Sequence, residues 1–314
     1  MIIKIILLLL GFILLIKGAN YFIDGTSSLA MNLKISKRLV GLTIVAFGTS
    51  IPELAISFKA ILSNNHEILL SNIIGSNITN VLLLLGIGGL LSSIRLKSAT
   101  VKKELALLLL ITLLLPTLLL DINFNNAFLN EITRSDGIVL LLFFLVFIYY
   151  IISIIRKNAI EEDETPKYSI FKSIIISVIG LVGIIYGSNL TVDNALAVAN
   201  TLGLSKRIIT LAIISPGTSL PELITTIIAS LKKEQDIMVG NIIGTNIFNI
   251  CIVLGLPVAI LGNIVPQFSS IDIFMLLFSS IILYIISLND YKITKLESIV
   301  MLLIYIFYYI FILL

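Results

Sequence analysis

Long apolar runs separated by short polar breaks dominate the chain. Ten can be read, at about 2–30, 37–62, 67–91, 102–120, 135–155, 170–199, 206–231, 236–262, 270–288 and 295–313. Each is near the roughly 20 residues a helix needs to cross a bilayer. The pattern predicts an all-α integral membrane protein with ten transmembrane helices. The longest polar break, 156–167, contains Glu161-Glu162-Asp163-Glu164 and separates two sets of five segments. The expected organisation is a five-helix unit at 1–155, a linker at 156–169 and a second five-helix unit at 170–314. Residues 1–15 have the outline of a signal peptide. Asn20 and Asp24 just downstream recur as Asn189 and Asp193, so the first run is read as a span.

That recurrence is part of a long repeat. Adding 169 to a position in the first half finds its partner in the second. Ser36-Lys37-Arg38 becomes Ser205-Lys206-Arg207, and Asn72-Ile73-Ile74-Gly75 becomes Asn241-Ile242-Ile243-Gly244. Asn77, Asn80 and Gly86 become Asn246, Asn249 and Gly255. Five spans per half is an odd number, so the second copy enters the membrane from the opposite side. Inverted-topology repeats are an architecture of secondary transporters, with the site near the midplane where the copies meet.

Composition agrees. The 314 residues are 58% hydrophobic and only 12% charged, about half the charge of a soluble domain. The net charge of +3 is small and its basic residues lie between the apolar runs, which argues for membrane orientation and against nucleic acid. One set of alternate loops holds Lys34, Lys37, Arg38, Arg95, Lys97, Lys102, Lys103, Arg156, Lys157, Lys167, Lys172, Lys232, Lys233, Lys292 and Lys295; the other holds Lys4, Arg134, Lys206 and Arg207. Positive-inside asymmetry therefore predicts both termini outside a cell membrane and the 156–169 loop in the cytoplasm. The single Cys251 excludes an internal disulfide and a cysteine metal cluster, and the lone His66 reads as a solvated loop residue. No Gly-rich nucleotide loop points to ATP drive.

Two spans are interrupted by Gly48-Thr49-Ser50-Ile51-Pro52-Glu53 and Gly217-Thr218-Ser219-Leu220-Pro221-Glu222. Proline removes a backbone donor and frees the carbonyl four residues back. Unwound backbone at membrane depth is tolerated only where it is buried or faces water. Freed carbonyls, Thr and Ser hydroxyls and a Glu carboxylate make a set of hard oxygen ligands. Ca²⁺ takes six to eight such oxygens, and two carboxylates match its charge. Zn²⁺ and Cu²⁺ favour His or Cys. Of the 18 acids, only Asp24, Glu53, Asp193 and Glu222 fall well inside the expected spans, with Asp24 and Asp193 near the ends, in a capping or hydrogen-bonding role. Further along, Ser76 and Asn80, and Thr245 and Asn249, are spaced i, i+4 on one helix face, with Asn72 and Asn241 a turn before. Those oxygens suit a weakly bound monovalent ion, or hydrogen bonds between helices. The acidic run at 161–164 reads as a solvated linker.

Paired Gly-Thr-Ser-x-Pro-Glu segments, each followed by Gly-[Ser/Thr]-Asn-Ile-x-Asn, resemble the two alpha repeats of the cation/calcium exchanger superfamily, and in particular a compact prokaryotic sodium/calcium exchanger. The resemblance is most specific at 41–86 and 210–255. It implies a Ca²⁺ shell of Glu53 and Glu222 with backbone oxygens of Thr49 and Thr218. Ser50, Ser219, Ser76 and Thr245, with backbone oxygens of Ala46 and Ser215, would line flanking Na⁺ sites. Asn80 and Asn249 would flank the central position, and the first and sixth spans would slide against the rest. The implied activity is Ca²⁺ export in exchange for Na⁺ by alternating access, without enzymatic chemistry or a cofactor, in a monomer embedded in lipid. Ca²⁺/H⁺ exchange and K⁺-dependent Na⁺/Ca²⁺ exchange stay open, as does a cation channel. An intramembrane hydrolase using the two Glu has no supporting Ser/His or Asp/Asp pair. Two departures stand out. Many members have Asp where this chain has Asn249, and Ser215-Pro216-Gly217 replaces the expected Ala-Phe-Gly, which frees the carbonyl of Ala212.

Overall fold

The structure is a computed structural model that describes residues 2–63, 65–120, 130–157, 165–202, 215–265 and 269–313. Ser205-Lys206-Arg207, Ala212 and the acidic run at 161–164 lie outside the described residues. The described residues are mostly helical. Among the described residues, seven helices are long and apolar enough to cross a membrane: Ile2–Asn32, Ile68–Leu91, Arg134–Ile155, Ile170–Thr201, Gln235–Leu261, Ser270–Leu288 and Lys295–Ile312. An eighth candidate is the pair Lys37–Thr49 and Ile51–Leu62, bent by 44°. The segment expected at 206–231 is described only from Ser215, as a four-residue helix and the shorter apolar helix Leu220–Leu231. The segment expected at 102–120 carries Lys102, Lys103 and Glu104 in its first turns.

The chain divides into two compact units, Met1–Thr49 with Asn158–Asn241, and Ser50–Lys157 with Ile242–Leu314. This differs from the division at 156–169 expected from the polar break. Both halves of the sequence contribute to both units.

The first unit is built on α1 (Ile2–Asn32) and α9 (Ile170–Thr201). Gly11, Gly18 and Gly25 recur every seven residues, so they share one face of α1. A β-carbon added at Gly11 would sit 2.8 Å from Thr191 N, at Gly18 2.7 Å from Ile184 N, and at Gly25 2.7 Å from Ser177 N. The partner's number falls as the α1 number rises, so the helices run antiparallel. In lipid there is no hydrophobic drive between helices, and small residues that let backbones touch supply the packing. α2 (Lys37–Val40), a π-helical turn at Gly41–Val45 and α3 (Ala46–Thr49) follow, and then α10 (Ser215–Thr218), α11 (Leu220–Leu231) and the start of α12 (Gln235–Phe248). Gly41 and Gly240 meet closely as well: a β-carbon at Gly41 would lie 2.4 Å from Ile237 O, and one at Gly240 the same distance from Arg38 O.

Charged groups close one end of this unit. Asp24 accepts from Lys167 at 2.7 Å and from Lys232, which also donates to Asn20 O at 3.0 Å. The bond to Asp24 holds the Lys167 ammonium above its ordinary range. Glu234 accepts from Ser27 at 2.8 Å and from Lys37 at 3.1 Å. Asp24 thus has the hydrogen-bonding role expected, whereas its repeat partner Asp193 is exposed.

The second unit holds α4 (Ile51–Leu62), α5 (His66–Ile78), a π-helical turn at Thr79–Leu84, α6 (Leu85–Leu91), a π-helical turn at Thr100–Leu105, α7 (Ala106–Leu119) and α8 (Arg134–Lys157). It continues with the end of α12, a π-helical turn at Asn249–Leu254, α13 (Gly255–Leu261), α14 (Ser270–Leu288) and α15 (Lys295–Leu313). α4 packs on α5, on α13 and on the 249–254 turn. Two-residue strands β1 (Ile94–Arg95) and β2 (Lys292–Ile293) pair antiparallel, with Ile94 opposite Ile293. Ile132 and Ile264 form an isolated antiparallel bridge, and His66 Nδ1 lies 3.3 Å from Val265 O, so that histidine is tied down and only partly solvated. Glu104, at the start of the expected fourth span, is a further buried acid, with Tyr150 Oη donating to it at 3.0 Å.

The seam between α1 and α9 should be intolerant of bulk. Gly18→Leu is expected to lower stability by about 1–3 kcal/mol or more, the usual cost of overpacking, because its clash is with backbone. At Gly75 an added β-carbon meets nothing within 4 Å. Gly75→Ala should therefore be neutral or stabilising by up to about 1 kcal/mol from helix propensity. Thermal melting of the detergent-solubilised variants compares the two.

Candidate cation-binding site

The expected ligands divide six and six between the units. Ala46, Thr49, Ser215, Thr218, Ser219 and Glu222 belong to the first; Ser50, Glu53, Ser76, Asn80, Thr245 and Asn249 belong to the second. Each unit therefore carries one carboxylate.

Both carboxylates are placed by a helix break. α3 ends at Thr49, Ser50 is a turn, and α4 begins at Ile51. Pro52 stands in the first turn of α4, where its missing N–H costs little. Glu53 is the third residue, where the unpaired N–H groups of a helix start favour an anion. The second copy repeats this with Thr218, Ser219, Leu220 and Pro221, and Glu222 is again third. Both acids are 1% exposed. In the first unit Thr49 is buried, and its hydroxyl donates to Val45 O at 3.2 Å and more weakly to Ala46 O and Asn241 Oδ1. The Thr49 hydroxyl thereby comes within 3.5 Å of the Asn241 carboxamide oxygen. Ala46 and Ser219 are buried and Thr218 is half-buried; the Ser215 side chain lies outside the described residues. α11, with Glu222, packs on α1 and α9.

In the second unit Ser50 is fully buried and its hydroxyl has no hydrogen-bond partner among the described residues. Ser76, Thr245, Asn80 and Asn249 are buried as well. The i, i+4 spacing of Ser76 and Asn80 meets a change of pitch, because the π-helical turn starts at Thr79, and Asn249 opens the matching turn in the other copy. Turns of this kind recur at functional sites.

Asn77 and Asn246, which the sequence marked only as repeat partners, lock these turns together. Asn77 Nδ2 donates to Asn246 O at 3.3 Å, and Asn246 Nδ2 donates to Asn77 O at 3.4 Å. Asn80 Nδ2 donates to Asn246 Oδ1 at 2.8 Å, and Asn249 Nδ2 to Asn77 Oδ1 at 3.2 Å. Every bond has its equivalent 169 positions away. The Oδ1 atoms of Asn80 and Asn249 are buried and have no hydrogen-bond partner among the described residues. They are carbonyl-type oxygens of the kind that a hard cation takes.

A multi-pass helical membrane protein with paired acidic helix breaks and buried amide and hydroxyl oxygens is of the ion-transporter class. Residues 3–153 and 172–314 match the family described as sodium/calcium exchanger protein, and the chain belongs to that family. It is 36% identical over 313 residues to the putative antiporter CaxA of Alkalimonas amylolytica, covering 95% of this chain and 94% of the relative. It is 28% identical over 342 residues to the sodium/calcium exchanger MaX1 of Methanosarcina acetivorans, covering 97% of each. Among solved structures, the sodium-calcium exchanger NCX_Mj soaked with Na⁺ and Sr²⁺ superposes with a TM-score of 0.84 at 29% identity, over 98% of this chain and 97% of that one. The cation/calcium exchanger resemblance of the two motifs is thereby borne out over the whole chain.

The geometry sets an expectation for Asn249→Asp. Asn77 Oδ1 needs a donor, which a protonated acid supplies and a carboxylate does not. The variant should behave like the wild type in mildly acidic medium and lose that likeness as the pH rises and the acid ionises. Cation flux compared between the two proteins across the neutral range checks this. Identical profiles throughout would place residue 249 away from the ions.

Proposed function

We propose that the protein is a secondary antiporter that exports Ca²⁺ in exchange for Na⁺ by alternating access. The observation that carries it is the pair of buried carboxylates, Glu53 and Glu222, each set by a helix break among hydroxyl and carbonyl oxygens in a chain of the sodium/calcium exchanger family. A charge at membrane depth is expensive to keep, so it marks an ion pathway. In this reading Glu53 and Glu222 act on the same Ca²⁺, which they neutralise, with backbone oxygens of Thr49 and Thr218. Ser50, Ser219, Ser76, Thr245 and backbone oxygens of Ala46 and Ser215 take Na⁺, and Asn80 and Asn249 flank the centre. No third carboxylate is present at 80 or 249, so Na⁺ binding is supported by neutral oxygens.

The reading includes ten spans in two inverted repeats, with both termini outside. The contacts within each unit support that arrangement, because every link between distant loops joins loops expected on one side. In the first unit Asp24, Lys167 and Lys232 meet at the cytoplasmic end, and Lys4 donates to Ala197 O at the other. In the second unit β1 and β2 join two cytoplasmic loops, while the Ile132–Ile264 bridge and the His66–Val265 contact join outside ones. The antiparallel run of α1 against α9, its repeat equivalent, is what inversion requires.

Glu53→Gln and Glu222→Gln keep the size and remove one charge each. Either is expected to abolish Ca²⁺ uptake into proteoliposomes while insertion and folding are kept; near-normal uptake by both would overturn the assignment. Imposing Na⁺, K⁺ or pH gradients in turn on the wild type identifies the coupling ion, with Na⁺ expected to drive uptake alone. Uptake without any counter-ion would indicate a channel. The topology is tested with Ser63→Cys and Lys233→Cys in a Cys251→Ser background. Only the cysteine at 63 should react with an impermeant reagent added outside, and labelling at both positions would reject the inversion.

A further inference from the structure

We propose that Asn77 and Asn246 are positioning residues that decide which atom of the Asn80 and Asn249 carboxamides is offered to a cation. The inference rests on the reading that the Oδ1 atoms of Asn80 and Asn249 are ion ligands, and it adds a reason why those oxygens, and not the amide nitrogens, face the ion.

A carboxamide has two ends of nearly equal shape and opposite polarity. One end accepts and the other donates. An Asn beside a cation helps only if its oxygen points inward; turned over, its N–H₂ dipole repels the ion. Nothing in the shape of the side chain selects between the two, so the surroundings must. Here the selection can be followed atom by atom. A backbone carbonyl can only accept, so the end of Asn246 next to Asn77 O must be its Nδ2. That leaves Asn246 Oδ1 facing Asn80, and an oxygen there demands a donor. Asn80 must turn its Nδ2 toward Asn246, at 2.8 Å, and its Oδ1 away. The same sequence of constraints runs from Asn246 O through Asn77 to Asn249. All four residues are at most 1% exposed. Two backbone carbonyls thus set the orientation of two ligands, one residue removed.

The arrangement also fixes the chemical character of the ligands. The groups at 80 and 249 must donate to an amide oxygen while offering an oxygen of their own. Asn does this at every pH, and Ser or Thr is too short to span the same gap. The chain needs Asn at 77 and 246 for the same reason: an acceptor and a donor on one planar group.

The test is a pair of double-mutant cycles on the full-length purified protein, with Ca²⁺ as the probe. Ca²⁺ affinity is read from the Ca²⁺-dependent rise in melting temperature, which follows binding whatever ion couples to transport. One cycle contains Asn80→Ala, Asn246→Ala and the double variant; the other contains Asn249→Ala, Asn77→Ala and the double variant. Removing the group behind a metal ligand commonly weakens affinity about 10-fold or more. Each single variant is expected to lose about that much, and each double variant no more than the weaker of its singles, because a positioning residue has nothing to position once its ligand is gone. If the losses multiply, or if Asn246→Ala and Asn77→Ala keep wild-type affinity while Asn80→Ala and Asn249→Ala do not, the positioning role is overturned. If Asn80→Ala and Asn249→Ala both keep wild-type affinity, the ligand reading itself fails. Should one cycle contain a variant that does not fold, the other decides, since the two are independent realisations of one geometry.

Discussion

A carboxylate held away from water at membrane depth depends on what surrounds it, and a regular helix offers very little. Its backbone carbonyls are spent on its own hydrogen bonds. The chain answers this at Ser50 and at Ser219 by ending one helix and starting another. The new helix begins with Pro in its first turn and an acid third, so the orphan N–H groups steady the carboxylate while the preceding turn releases oxygens. Everything else in the site depends on that break. Ser50 occupies the turn and is buried, and the Thr49 hydroxyl donates to Val45 O in the turn before.

The rest of the architecture holds these turns in place within each unit. In the first unit, backbone contact along Gly11, Gly18 and Gly25 binds α1 to α9 over their length. A seam of that kind permits little internal sliding, so the first and sixth spans of the proposed mechanism act as one body. In the second unit, packing near the site is polar. The π-helical turns at 79–84 and 249–254 widen each helix beside Asn80 and Asn249, and the reciprocal bonds of Asn77 and Asn246 tie the two turns together.

Much of this was legible in the chain itself. Gly, Pro and Glu in the middle of an apolar run stand out because each is costly there, and the 169-residue offset doubled the signal. The hydroxyl and amide positions were legible for the same reason. What the sequence could not show depended on partners distant along the chain. The role of Asn77 and Asn246 depends on the register of two helices that no local pattern encodes. The π-helical turns leave no composition signal. Nothing local to Glu104 signals that Tyr150, from another helix, donates to it. The division into units was hidden too, because the boundary falls inside the first motif, at Thr49, and inside α12, at Asn241.

The repeat is kept and broken in different places, and the difference bears on transport. Were the two halves of an inverted repeat equivalent throughout, the outward- and inward-open states would be mirror arrangements of equal energy. The Asn77, Asn80, Asn246 and Asn249 set keeps that equivalence bond for bond, which suits ligands that must serve from either side. The ends of the long helices do not keep it. Asp24 engages Lys167 and Lys232, whereas Asp193 is exposed. Lys232 falls 169 positions after Ser63, which has no charge, so the asymmetry is written in the residues and is not an accident of packing. Under the inverted-repeat reading, symmetry is retained at these four asparagines and given up at the rim. The rim is where an energy difference between access states can be set without changing what either state binds.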